Sequence, residues 1–263
     1  MAFTSNADGF RGPEIESVTS RSILFMGDSF TMGYGVNDGE EFPSLVRNAM
    51  KDNCQNPVNV INTGMAGNGN GRWIKFLRSD AKHYNPSLII FQVHGGDYSD
   101  NLQERLFELS TDRDLHELSI PAQRVRRMLQ RILDSPYLSY SYLAGLAKQV
   151  QWYIHHSNLD KNIEGLPMNT NRELSENQLL IRMMEEVLTI CKNEQWSVLF
   201  LLSDIPSERM ADLSKLLEIH QVPKIVIPDK LARPELYFRV DLHWNTYGHK
   251  YVAEQLFKEI KCW

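Results

Sequence analysis

Cysteine is scarce: Cys54, Cys191 and Cys262 are the only three in 263 residues, far apart and odd in number. That excludes a disulfide framework and any CxxC metal site, and the three are expected as free thiols or small core residues. No stretch approaches the roughly 18 consecutive apolar residues of a membrane span. The N-terminal residues 1–9 lack the charged-then-apolar order of a signal peptide. As written the chain reads as cytoplasmic, or as extracytoplasmic if an export or anchor segment has been removed. Positive charge is not in excess either: 28 Lys and Arg stand against 33 Asp and Glu, a net charge of −5. With no basic stripe, nucleic acid is not expected as a partner. The run Arg124-Val-Arg-Arg127 is local and fits the solvated face of a helix. Three motifs are also missing: the phosphate loop GxxxxGK[ST], the dinucleotide fingerprint GxGxxG, and the hydrolase elbow GxSxG.

What is present is an ordinary globular composition, 42% hydrophobic and 23% charged. A chain of this length buries roughly 70–75% of its unfolded surface and needs no metal or disulfide staple. Apolar runs at Ile23–Met26, Val58–Ile61, Leu88–Val93, Val198–Leu202 and Ile225–Ile227 predict five strands. Helical patterns fall between them at about 41–52, 71–83, 174–194 and 209–220, with a last one at about 246–261. Leu179, Leu180, Met183, Met184, Val187, Leu188 and Cys191 follow the helical period in the third of these. Such alternation predicts a three-layer α/β/α domain over residues 1–263 with a five-stranded parallel sheet. Residues from about 99 to 173 interrupt it. That region holds no convincing strand and carries helical patterns near 121–133 and 138–156, so it is expected to be a helical insertion.

The stretch Phe25-Met-Gly-Asp-Ser-Phe-Thr-Met-Gly-Tyr-Gly-Val36 leaves the first strand and sets Ser29 among glycines. The C-terminal end of a buried parallel strand lies on the rim where ligands bind, so a hydroxyl is delivered to a functional edge. A serine in a turn or helix cap is the plainer alternative. Activating a serine takes a base within hydrogen-bond reach, itself oriented by a carboxylate. Asp241-Leu-His243 supplies both just before the last helix, whose N-cap is expected at Asn245 or Thr246. Two residues apart in extended chain, Asp241 and His243 point the same way. Glycine-rich turns also follow the second and third strands, at Asn62–Gly71 and at His94-Gly-Gly-Asp97. Backbone N–H groups at such turns can cradle an oxyanion.

Together these motifs resemble those of the SGNH (GDSL-type) hydrolases, over most of the chain apart from the helical insert. Gly27-Asp-Ser29 is similar to the family's nucleophile block, and Gly67 in Gly64-Met-Ala-Gly67 to its oxyanion glycine. Asp241-x-His243 is similar to the terminal Asp/His block, and Asn6-Ala-Asp-Gly-Phe-Arg-Gly-Pro-Glu14 to a lead-in that many bacterial members carry. The resemblance implies a serine esterase with Ser29 as nucleophile, His243 as base and Asp241 as its orienting partner. Asp28 would be a structural neighbour of the nucleophile. It implies an acyl-enzyme, no metal and no organic cofactor. The substrate it implies is a small-molecule or carbohydrate ester, with oligomeric state left open. The oxyanion hole would be built at Ser29, Gly67 and position 96.

At position 96 the chain departs from the pattern. The family's third block carries an Asn side chain there, and this chain has Gly96. Losing one oxyanion donor costs about 10²–10³ in rate, unless His94 or Asn68 replaces it. Two other readings stay open: an O-acyltransferase using the same serine, and a catalytically impaired carbohydrate-binding module. Trp73, Tyr98 and Trp244 lie near motif ends and are candidates for a sugar-stacking rim, with core packing as the alternative.

Overall fold

The structure is a computed structural model that describes residues 3–15, 21–54, 58–118 and 170–260. Along the chain run β1 (Ser22–Met26), α1 (Ser29–Met32), α2 (Phe42–Asn53), β2 (Asn59–Asn62), α3 (Gly71–Ser79), β3 (Pro86–His94) and α4 (Asp97–Glu104). Then follow β4 (Phe107–Leu109), β5 (Leu115–Glu117), α5 (Thr170–Asn193), β6 (Ser197–Ser203), α6 (Ser207–Ile219), β7 (Lys224–Ile227) and α7 (Thr246–Ile260).

Five strands form one parallel sheet in the order β2-β1-β3-β6-β7. All five residues of β1 are buried, and their side chains divide by parity between two cores. Ile23 and Phe25 join Leu88, Ile90, Leu199 and Leu201 under α2 and α7, with Phe42, Val46, Val252 and Leu256. Leu24 and Met26 join Ile89, Phe91, Phe200 and Leu202 on the other face, under α3, α5 and α6. A strand clothed on both faces has to be apolar at every position, which is why these runs do not alternate. The helical stripe read at Leu179–Cys191 lies wholly in the second of these cores. Each such side chain contributes about 1.5–3 kcal/mol on leaving water.

The chain leaves β1 to one side for β2 and returns to the other side for β3. The strand order therefore reverses between β1 and β3, and ligands of open α/β sheets bind in the crevice at that point. Ser29 follows β1 and His94 ends β3.

Three expectations are corrected here. The 99–173 region holds strands after all: β4 and β5 pair antiparallel, Phe107 opposite Glu117 and Leu109 opposite Leu115. At three residues each, with exposed positions at Glu108, His116 and Glu117, they are too short and polar to stand out by periodicity. The helical patterns near 121–133 and 138–156 lie outside the described residues. The helix expected to run to 83 stops at Ser79, and a 3₁₀ turn follows at Ala81–Tyr84, ended by Asn85 at φ 47°. Cys54 is disulfide-bonded, whereas Cys191 is a free buried thiol. Such pairing depends on spatial approach, which spacing along the chain does not reveal.

Candidate active site

The turn after β1 tolerates only glycine at its first position. A Cβ on Gly27 would lie 2.1 Å from Thr31 Oγ1 and 2.7 Å from Gln92 Oε1. Asp28 caps α1, its Oδ1 accepting the Phe30 N–H at 2.8 Å. Ser29 is then the first residue of α1, where an N–H has no intrahelical acceptor. The turn is tied down from beneath: Thr31 Oγ1 donates to Gln92 Oε1 at 3.0 Å, and Gln92 Nε2 to Ser203 Oγ at 3.3 Å.

Arg11, from the N-terminal lead-in, holds the far end of the same turn. Its Nη1 donates to the Met32 and Gly33 carbonyls at 3.0 and 2.6 Å, and its Nη2 to the Val36 carbonyl at 3.0 Å. Of these, the Met32 carbonyl is one that the end of α1 leaves without an intrahelical partner. No motif at Arg11 marks that role.

Across the chain, Ser29 Oγ lies 2.7 Å from His243 Nε2. His243 Nδ1 is hydrogen-bonded to Asp241 Oδ1, which also accepts the His243 backbone N–H at 2.8 Å. An ionised carboxylate can only accept, so the ring proton sits on Nδ1 and Nε2 is left to accept from the serine hydroxyl. Burial alone would raise the Asp241 carboxyl. The hydrogen bonds from the His243 backbone and ring, with the His243 and Lys230 charges, outweigh it and hold Asp241 below the ordinary carboxylate value. The Phe30 ring packs 4.7 Å from the His243 ring and 4.5 Å from that of His94. Tyr34, 45% exposed, lies 4.8 Å from His243 and edges the site. Arg11 lies in the lead-in block quoted from the sequence, but neither its role nor that of Tyr34 was expected.

The base sits ahead of α7, which Asn245 caps by accepting the Tyr247 and Gly248 N–H groups at 2.9 and 3.1 Å. Trp244, between the two, is fully buried.

The Gly64–Gly67 turn is bound to the nucleophile turn. Met65 N–H donates to the Gly27 carbonyl at 3.1 Å, Asn62 Nδ2 donates to the Thr31 carbonyl at 2.9 Å, and a Cβ on Gly64 would meet Met32 N at 2.4 Å. Gly67, exposed and at φ 68°, needs the left-handed freedom of glycine. Among the described residues neither the Ser29 nor the Gly67 N–H has a protein acceptor.

Position 96 is different. The Gly96 N–H donates to His94 Nδ1 at 2.9 Å and is not free. With Nδ1 accepting from Gly96, the donor left on the neutral ring is Nε2, which is buried without a hydrogen bond and lies 3.7 Å from Asp204 Oδ2. Asn68 is 7% exposed and makes no hydrogen bond among the described residues. Burial raises the Asp28 carboxyl despite nearby His94, and raises the Asp97 carboxyl further, with the Asp28 charge adding to it.

Trp73, Tyr98 and Trp244 form no rim: they are 4%, 0% and 0% exposed. Trp73 packs on Phe91, Tyr98 lies under the Arg209 guanidinium, and Trp244 sits against Phe30 and Phe42. The aromatic faces that would stack a sugar are spent on the core. Among the described residues no group of three or more His, Cys, Asp or Glu is placed to hold a metal, and no helix is long and apolar enough to cross a membrane.

Residues 23–256 match the model of the GDSL-like lipase/acylhydrolase family. No curated protein sequence matches the chain. Among solved structures, the psychrotrophic esterase EstA from Pseudoalteromonas sp., inhibited by monoethylphosphonate, is 12% identical with a TM-score of 0.56, covering 92% of this chain and 97% of its own. LAE5, an α/β hydrolase from the metagenome of Lake Arreo, is 12% identical with a TM-score of 0.51, covering 93% and 98%. A two-domain esterase active on acetylated mannans is 12% identical with a TM-score of 0.50, covering 92% of this chain and 49% of its own. At such identities the likenesses speak to the fold, which they share with the sheet order and layers described above. The chain belongs to the GDSL-like lipase/acylhydrolase family and is an ester hydrolase of the serine type.

Proposed function

We propose that the chain hydrolyses a small carboxylic ester through a covalent acyl-enzyme on Ser29, with His243 as general base and Asp241 as its orienting partner. The observation that carries this reading is the chain of hydrogen bonds from Ser29 Oγ through the His243 ring to Asp241. Ser29 Oγ attacks the ester carbonyl carbon as its proton passes to His243 Nε2. The carbonyl oxygen takes the negative charge, stabilised by the Ser29 and Gly67 N–H groups. Collapse expels the alcohol, which leaves with the proton from His243. Water, deprotonated by the same ring, then releases the acid and restores Ser29.

At position 96 the proposed hole has no side chain to add, and the Gly96 N–H is spent on His94. A hole of two donors supports turnover at a lower rate than one of three, by about 10²–10³. A carbohydrate acyl ester remains the proposed substrate class, but with no support from Trp73, Tyr98 or Trp244. The exposed aromatic beside the base is Tyr34.

Ser29→Ala tests the reading. Turnover of a p-nitrophenyl acetate-type ester is expected to vanish while the thermal melt stays within a few degrees of the parent. Retained turnover would remove Ser29 as the nucleophile.

A further inference from the structure

Lys230 lies beyond β7 in a turn whose local sequence carries no motif. Its Nζ donates to the Phe238 carbonyl at 2.7 Å, the Arg239 carbonyl at 3.1 Å and the Asp241 carbonyl at 3.0 Å. An ammonium has three donors. All three are therefore spent on one short stretch of chain, the one that carries Asp241, the proposed orienting partner of His243.

That stretch folds back on itself between Tyr237 and Trp244, which form an antiparallel bridge. Its base is well anchored. Phe238 N–H donates to the His243 carbonyl at 2.9 Å, Tyr237 Oη to the Pro228 carbonyl at 2.7 Å, and Asn245 Nδ2 to the Tyr237 carbonyl at 2.8 Å. Its tip is not. Arg239, Val240 and Leu242 are exposed, and the Asp241 side chain is 44% exposed. No helix or strand holds the Asp241 backbone. Asp241 Oδ1 must nevertheless stay on both the His243 N–H and Nδ1.

We propose that Lys230 is a positioning residue of this hydrolase, its ammonium clamping the tip so that Asp241 holds the His243 imidazole on Ser29. The proposal rests on the acyl-enzyme reading above. Lys230 acts through geometry, since its hydrogen bonds go to backbone oxygens on both sides of Val240 and fix where the Asp241 side chain starts. Charge-assisted bonds to carbonyls are the strong kind, and Asp241 also gains from the nearby cation. Displacements of about 1 Å in catalytic groups cost about 10²-fold in rate.

The test compares kcat and KM for a p-nitrophenyl ester in the parent and in Lys230→Met, each also in an Asp241→Ala background. Lys230→Met is expected to lower kcat about 10–100-fold with KM within about threefold. Lys230→Arg, which keeps a cation, is expected to recover most of the loss. In the Asp241→Ala background Lys230→Met is expected to cost nothing further, because the residue through which it acts is gone. A merely structural lysine would lower both backgrounds alike, and that result overturns the proposal. So does a Lys230→Met enzyme within about twofold of its parent. Should Lys230→Met fail to fold, Lys230→Gln carries the same pair of comparisons. Turnover indifferent to Ser29→Ala would overturn the acyl-enzyme reading and the clamp with it. Turnover that needs Ser29 but ignores Lys230 overturns the clamp alone.

Discussion

The Arg11 guanidinium and the Glu41 carboxylate lie 3.6 Å apart, with both side chains 1% exposed. Arg11 also pairs with Asp38 at 3.1 Å and donates to the Met32, Gly33 and Val36 carbonyls. A lead-in segment thereby reaches under the proposed nucleophile and fills the orphan end of α1. Arg11→Met would take its paired cation from the buried Glu41 carboxylate, leaving it the Gly39 N–H, the Ser44 hydroxyl and the more distant Arg47 charge, and breaking a buried pair costs about 3–5 kcal/mol. Urea denaturation of Arg11→Met is expected to read a loss of that size, with part restored by adding Glu41→Gln. A loss under about 1 kcal/mol, usual for a surface change, would mean that the pair is not held as described.

Position 96 is closed by a side chain and not by the backbone. Gly96 has φ −67° and ψ −29°, open to any residue, while a Cβ there would sit 3.1 Å from His94 Nδ1. Gly96→Asn alone is expected to push the imidazole off the Gly96 N–H and to destabilise by about 1–3 kcal/mol, as overpacking does. In a His94→Ala background the room is free. There Gly96→Asn is expected to raise kcat about tenfold or more over His94→Ala alone, a partial return of the missing donor. No gain would mean that a side chain at 96 does not reach the oxyanion.

Burial holds the Asp100 carboxyl at about 6, the Asp28 and Glu104 charges adding to it and His94 opposing. The unfolded chain releases that proton near 3.8, the ordinary value for an aspartate. Between these values the folded chain binds a proton that the unfolded chain has lost, so this group's contribution to stability falls as pH rises through the window. Asp100→Asn removes the contribution. Its melting temperature relative to the parent is expected to climb from about pH 4 to about pH 6 and then level off. Thermal melts of both proteins across that range check it, and a flat difference would contradict the burial of Asp100.

Much of this architecture was legible because it is written in local patterns. The five apolar runs are all strands, the inner ones clothed on both faces and the edge strand β7 open at Val226, and Leu179 to Cys191 is a helical stripe that found its core. Ser29, Asp241 and His243 were legible as motifs, although nothing local says that residues 214 apart would meet. What was not legible depends on distant partners. Lys230 binds backbone oxygens, which every residue has, and Arg11 joins such oxygens to two distant carboxylates, so the local sequence states neither role. Trp73, Tyr98 and Trp244 read equally as rim or core, and only the packing around Phe91, Arg209 and Phe42 decides. The β4–β5 hairpin is too short for periodicity to register, and the Cys54 disulfide depends on an approach in space that the spacing hides.

The central claim is that the first strand ends where it does to present an activated hydroxyl. Intact mass after incubation with a fluorophosphonate, followed by peptide mapping, tests it most directly. The account predicts a single adduct on Ser29 that does not form in His243→Ala, because without the imidazole the hydroxyl keeps its proton. A folded protein that takes up no adduct, or takes it up at another residue, would contradict the account.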